Sequence, residues 1–122
     1  MFITCNANPA GNSTGDCVIR AISIITGKSW REVYHDLYEY GMTYYEMIDT
    51  NALWHNYLYD LGFDIFAIPK PTMTVREFCK WFPKGMYILG TGKHVIPVID
   101  GDYYDTWDSG FEIPVFYWRK EN

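Results

Sequence analysis

Asn12-Ser13-Thr14-Gly15-Asp16-Cys17-Val18-Ile19-Arg20-Ala21 begins as a polar, glycine-containing loop and turns into an apolar run. From Cys17 onward Val18, Ile19, Ala21, Ile22, Ile24 and Ile25 recur at a spacing that suits a buried helix. The loop therefore ends at Asp16, and a thiol falls in the first turn of a core helix. Unsatisfied N–H groups and the positive end of the macrodipole at a helix start favour thiolate over thiol. Cys17 is then a poised nucleophile, or else a small buried hydrophobe, the usual fate of a free cysteine. The rest of the chain has to separate the two.

Upstream, Phe2-Ile3 is a short apolar start whose periodicity is lost through Asn6, Asn8, Pro9 and Gly11. This reads as a loop leading into the helix, and Cys5 has no expected role. Downstream, the helix over 17–26 stops at Gly27, which suits the left-handed position after a helix. Ser29 and Glu32 have capping-box spacing, and Trp30, Val33, Tyr34, Leu37 and Tyr38 repeat at helical intervals. That predicts a second helix, packed on the first and ending at Gly41. Residues 42–48 are aromatic and ambiguous. Asp49 or Thr50 can cap a third helix carrying Leu53, Trp54, Tyr57, Leu58 and Leu61, closed by Gly62.

The first strand is expected over 63–68, stopped by Pro69 and Pro71. Thr74 and Glu77 open a short helix with Val75, Phe78, Cys79 and Phe82 on its apolar side, ended by Pro83 and Gly85. Cys79 lies within that apolar face and reads as packing. The last third reads as β structure: an apolar run over 86–89, the loop Gly90-Thr91-Gly92-Lys93, a β-branched run over 94–99, and the turn dipeptide Asp100-Gly101. The chain returns over 103–107 and adds a final strand over 113–118 before a charged tail. Helices followed by an antiparallel sheet make a segregated α+β domain, and 122 residues fit a single domain, 1–122.

Composition narrows the partners. Apolar residues at 48% and charged residues at 20% describe a chain that buries a core. The 19% aromatics, with 11 Tyr and 5 Trp, can line a groove as readily as fill that core. Ten Lys and Arg, scattered singly in a chain of net charge −5, leave no basic stripe for a phosphate backbone, so nucleic acid is not an expected partner. No apolar run approaches the ~20 residues of a membrane span, and the start lacks the basic-then-apolar pattern of a secretory signal. The expected location is the cytoplasm, with no membrane partner. Cys5, Cys17 and Cys79 are too widely spaced for a zinc clip or disulfide framework and are expected as free thiols in a reducing compartment.

A nucleophilic Cys17 needs a base, and the base needs an orienting group. His35 and His55 fall on predicted helices where an exposed surface position is the ordinary expectation. His94 begins a strand directly after a glycine-rich loop, at the rim of the sheet, where functional side chains gather. If Asp100-Gly101 is a two-residue type I′ turn, Ile99 pairs with Asp102, Ile96 with Asp105 and His94 with Trp107. Asp105 is then a diagonal neighbour of His94, able to hold one imidazole nitrogen and leave the other for the thiol. Pro97 supplies no N–H to that register, and a bulged loop would bring Asp108 to the histidine's face instead. Asp105 is the expected partner and Asp108 the reserve. The carboxylates Asp100, Asp102, Asp105 and Asp108 lack the order and terminal Glu of an EF-hand loop, so no metal or other cofactor is expected. For an oxyanion hole the chain offers the Cys17 N–H and the Asn12 amide, although Asn12 also suits a simple turn.

The order Asn12, Cys17, His94, Asp105 resembles that of the papain-like cysteine peptidases. Asp105-Thr106-Trp107 is similar to that family's Asn-Ser-Trp, in which a tryptophan shields the acid–histidine pair. Gly15-Asp16-Cys17 together with the 94–101 segment looks most like small C39-like peptidases and related proteins of bacteria and their phages. In the papain pattern a Gln stands six residues before the cysteine, whereas Asn12 stands five before. The resemblance implies a papain-like α+β fold and a thiol hydrolase that cleaves a peptide, isopeptide or related amide bond through a thioester acyl-enzyme. Cys17 would attack, His94 move the proton, Asp105 orient the imidazole, and Asn12 with the Cys17 N–H hold the oxyanion. The partner would be a peptide or protein substrate, basic or neutral by charge balance, in the cytoplasm, or the host's cytoplasm for a phage protein. Tyr44, Tyr45, Trp54 and Trp107 are expected to line the groove. Two alternatives share the scaffold: a non-catalytic protein-binding module, and an acyltransferase that passes the same thioester to an amine.

Overall fold

The computed structural model describes residues 1–120, so the last two residues of the charged tail lie outside the described residues. Local chemistry sets the helix ends. Helix α1 is Cys17–Thr26, closed by Gly27 at φ 77° with its N–H on the Ser23 carbonyl. Helix α2 is Trp30–Tyr44; the Ser29 hydroxyl accepts from the Glu32 N–H, and the Glu32 carboxylate accepts from the Ser29 N–H. Helix α3 is Asn51–Asp60, preceded by Thr50, whose hydroxyl donates to the Met47 carbonyl rather than capping the helix. Thr74 and Glu77 form a second reciprocal cap at the start of α4, Val75–Trp81.

Six strands build one sheet: β1 Phe2–Thr4, β2 Phe63–Ala67, β3 Met86–Gly90, β4 Val95–Ile99, β5 Asp102–Asp105 and β6 Phe116–Lys120. Their order is β1-β5-β4-β3-β6-β2, antiparallel except for β1, which runs parallel to β5. The protein is therefore α+β, with a mixed sheet rather than the wholly antiparallel one expected. Residues on β3, β4 and β6 alternate between two apolar layers. Ile88, Val95 and Trp118 pack with Ile22, Leu37, Trp54 and Leu58 of α1 to α3. Tyr87, Leu89, Ile96, Val98 and Tyr117 pack with Phe78 and Cys79 of α4 on the other face. Burial on both faces explains why 86–89 and 95–99 read as unbroken apolar runs. Each such large side chain contributes about 1.5–3 kcal/mol.

Three expectations are corrected. Phe2-Ile3-Thr4 is a strand, not the start of a loop; three residues show no period, and only the free edge of β5 gives them hydrogen-bond partners. Helix α2 passes through Gly41 and ends at Tyr44, capped by Tyr45 in the left-handed conformation at φ 57°. Gly41 is there for close approach: the Glu46 N–H donates to its carbonyl, and a β-carbon would lie 2.6 Å from the Glu46 carbonyl oxygen. The final strand starts at Phe116, three residues later than the pattern indicated. Its place is set by pairing with Gly90 on one side and Ala67 on the other.

His55 also departs from its expected surface position. Its ring packs against Trp54, Phe116 and Trp118. Its buried Nε2 has no partner among the described residues, and burial holds its pKa below the ordinary histidine value.

Candidate active site

Cys17 is the first residue of α1, where its N–H has no acceptor within the helix. Asp16 precedes it without capping the helix through its side chain. Its buried carboxylate instead accepts from Arg20 Nε at 2.8 Å, Trp30 Nε1 at 2.9 Å and Asn8 Nδ2 at 3.2 Å. Burial pushes the Asp16 pKa up, but these three hydrogen bonds and the Arg20 charge outweigh it and hold it below the usual value. The loop before Cys17 is thereby tied to both α1 and α2. Arg20 reaches further, with Nη1 3.5 Å from Asp105 Oδ1.

His94 arrives from the other end of the chain. Thr91 Oγ1 accepts the His94 N–H at 3.0 Å, and the Thr91 N–H donates to the His94 carbonyl at 2.9 Å. Gly92, at φ 96°, makes that tight turn possible. His94 therefore sits just before β4 rather than as its first residue. Asp100 and Gly101 both have positive φ, 48° and 81°, as a type I′ turn requires, and Ile99 pairs with Asp102. Pairing stops at Val98 and Tyr103, so the expected pairs Ile96 with Asp105 and His94 with Trp107 do not form. Pro97 has no N–H to continue the ladder. Asp105 pairs instead with Thr4 of β1, and its carbonyl accepts the Cys5 N–H.

The side chains nevertheless meet. His94 Nε2 lies 2.6 Å from Asp105 Oδ2, which also accepts from Ser109 Oγ at 2.7 Å; Oδ1 accepts the Thr106 N–H at 2.8 Å. Asp105 is 2% exposed and Ser109 is fully buried. With Nε2 on Asp105, Nδ1 is the nitrogen left for the thiol, and Cys17 and His94 share one pocket wall, close enough for the imidazole to lower the thiol pKa. Trp107 stacks on the imidazole at 5.2 Å between ring centres and 27° between planes.

The charges follow from these contacts. Burial pushes the Cys17 thiol up, but hydrogen bonds from His94 and the Val95 N–H, with the charges of His94 and Arg20, bring it below its ordinary value. Burial pulls His94 down, yet its hydrogen bonds to Asp105 and Cys17 and their charges push it up to about 9. Asp105 is held low by His94, Ser109 and the Thr106 N–H against the effect of its burial. The arrangement favours a thiolate beside an imidazolium backed by a carboxylate.

A pocket of about 190 Å³ opens beside the thiol, walled by Gly15, Cys17, Trp54, Gly92, His94 and Phe116 among others. Of the residues expected to line a groove, Trp54 lies in this wall and Trp107 borders the pocket through the His94 ring. Tyr44 and Tyr45 do not line this pocket: Tyr44 packs on Tyr40, and Tyr45 is 94% exposed beside a separate apolar depression on α2. Asn12 is exposed and absent from the pocket wall; its carbonyl accepts from Asn6 Nδ2. Asp108 is not beside the histidine. It binds Tyr103 Oη at 2.5 Å and Arg76 Nη2 at 3.0 Å, and it accepts the Gly110 N–H. Each carboxylate of the 100–108 cluster has its own partner, since Asp100 binds the Gly85 N–H and Asp102 pairs with the Met1 amino group. Among the described residues no group of three or more His, Cys, Asp or Glu is placed to hold a metal ion.

Asp16, Arg20 and Ser109 are site residues without an expected role from the sequence. A signal existed for the first two, because Asp and Arg four apart at the start of a helix share a face. Nothing local marks Ser109, which meets Asp105 only through the chain reversal after β5. Cys5, Cys17 and Cys79 are all free thiols, and burial pushes Cys79 up to about 11. His35 is exposed, 3.6 Å from Glu39. No helix among the described residues is long and apolar enough to cross a membrane. Comparison of the chain with protein-family models, with curated proteins and with solved structures returned no match.

Proposed function

We propose that the protein is a thiol hydrolase of the papain-like class, acting on a peptide, isopeptide or related amide bond. The observation that carries this reading is the placement of Cys17 beside His94 in the wall of one pocket, with the His94 ring held by the buried Asp105. In the reaction, Cys17 Sγ attacks the carbonyl carbon and the carbonyl oxygen takes up the negative charge beside the Cys17 N–H. His94 gives its proton to the leaving amine, the C–N bond breaks, and a thioester remains. His94 then takes a proton from water, whose oxygen displaces the thiolate to release the acid. Asp105 holds the ring in register and favours its charged form, while Ser109 and Arg20 keep Asp105 ionised and fixed. Trp107 stacks on the His94 ring, in keeping with the Asp-Thr-Trp sequence. Three free cysteines accord with a reducing cytoplasm, whether of a bacterium or of a phage host.

Thiol reactivity tests the reading. Near neutral pH iodoacetamide should modify Cys17 well ahead of Cys5 and Cys79, and His94→Ala should abolish that preference. A peptide or ubiquitin-like chain bearing an electrophilic end should form an adduct at Cys17 alone. Equal alkylation of the three thiols, or no Cys17 adduct, would leave only a binding module on this scaffold.

A further inference from the structure

The pocket beside Cys17 has one wall with an unused hydrogen-bonding group. Asn51, the first residue of α3, lines that pocket. Trp54 Nε1 donates to Asn51 Oδ1 at 3.0 Å. An indole N–H can only donate, so the oxygen of the amide must be the atom it holds. That fixes the amide's orientation and leaves Nδ2, with two N–H groups, without an acceptor among the described residues. Trp54 is itself 1% exposed and wedged beside Phe116 and Trp118, so the anchor is rigid. An amide with its oxygen held, on the wall of a small pocket next to a nucleophile, is suited to meet a substrate, since a preorganised amide loses little freedom on binding.

We propose that Asn51 binds the acyl side of the substrate, donating from Nδ2 to the amide carbonyl next to the one that Cys17 attacks. The attacked carbonyl already has the Cys17 N–H, from α1; Asn51 comes from a separate helix that packs on α2 and β2. The two donors thus address successive carbonyls of one extended peptide-like chain, with Trp54 and Phe116 flanking it. This makes the acyl group a peptide rather than a simple acid, and it rests on the hydrolase reading above.

The test compares acylation of Cys17 by two esters, p-nitrophenyl acetate, which has no second carbonyl, and the p-nitrophenyl ester of N-acetylphenylalanine, which has one. In both, the thiolate displaces p-nitrophenolate and a thioester forms. The protein should prefer the second ester. Asn51→Ala should lose about tenfold of that preference, the worth of one hydrogen bond, while p-nitrophenyl acetate and iodoacetamide react at unchanged rates. Asn51→Asp, of equal size but with no donor, should behave like the alanine variant once scaled to iodoacetamide. Asn51 is exposed, so both variants should fold. Loss of rate toward both esters alike would move the amide to the attacked carbonyl and overturn the proposal; an unchanged preference would overturn it outright. If the unaltered protein is alkylated at Cys17 but acylated by neither ester, the hydrolase reading itself falls.

Discussion

His94 Nε2 and Asp105 Oδ2 are 2.6 Å apart although the backbone pairing of their strands ends at Val98 and Tyr103. The hairpin opens at Pro97, and the two side chains close the gap that the ladder leaves. Asp105 faces the ring because β1 and Ser109 hold it there, not because it is paired with β4.

On the proposed hydrolase reading, Asp105→Asn should keep the fold and lose the chemistry. A neutral amide no longer favours the imidazolium, so His94 should fall from about 9 toward its ordinary value. Turnover of any substrate should drop by about a hundredfold to ten-thousandfold, as for orienting acids generally. NMR titration of His94 in the variant checks the cause; an unmoved titration would refute it.

The same contacts give stability a pH window. His94 is raised, so its contribution is complete below 6.5 and is lost as pH rises through about 9. Asp105 is depressed, so its contribution is complete above 3.8 and is lost as pH falls through its lower folded value. Thermal melts should show the gap between the protein and its Asp105→Asn variant widest between those limits. It should narrow above pH 9.

Alkylation of Cys17 should rise as pH passes its lowered pKa, while Cys79, pushed up to about 11, stays unreactive near neutrality. His94→Ala removes the hydrogen bond and charge that oppose burial, so the Cys17 profile should move to higher pH. Each unit of that movement costs about tenfold in thiolate at neutral pH. Mass spectrometry resolved by peptide reads both thiols at once, and a profile that stays put would show that His94 does not set the sulfur's charge.

Arg20 lies between two buried carboxylates, its side chain 11% exposed. Arg20→Met should destabilise the fold by about 3 kcal/mol, because it leaves Asp16 and Asp105 without their shared cation. A urea melt with unchanged slope would measure it. Trp30→Phe, which removes one of the three donors to Asp16, should cost less, about 1 kcal/mol.

Gly41→Ala is expected to destabilise in spite of alanine's better helix propensity. The added carbon meets the Glu46 backbone oxygen at 2.6 Å, and neither backbone can yield cheaply. A cost of about 1–3 kcal/mol is typical of such overpacking. Replacement with no loss of melting temperature would show that the 45–48 turn is free to move.

What the sequence determined by itself is whatever depends on neighbours within a turn or two. The capping boxes at Ser29 and Thr74, the left-handed stop at Gly27, the type I′ turn at Asp100-Gly101 and the start of α1 at Cys17 are all of this kind. Three site residues, Cys17, His94 and Asp105, could be nominated because each carries a local mark: a helix start, a glycine-rich loop and an acid one hairpin away. Tertiary structure alone decided the rest. Gly41 looks like a stop until Glu46 folds back on it, and Phe2-Ile3-Thr4 has no strand character without the edge of β5. Asn12 and Asp108 suited their roles by residue type, but the loop leaves Asn12 exposed outside the pocket wall and the end of β5 gives Asp108 to Tyr103 and Arg76. In the Asn8, Asp16, Arg20, Asp105 and Ser109 network most links span four or eight residues, but Arg20 meets Asp105 across 85, and that join no local pattern can encode. A buried charge is tolerated only where distant chain segments bring it partners, and that condition exists only in the folded protein.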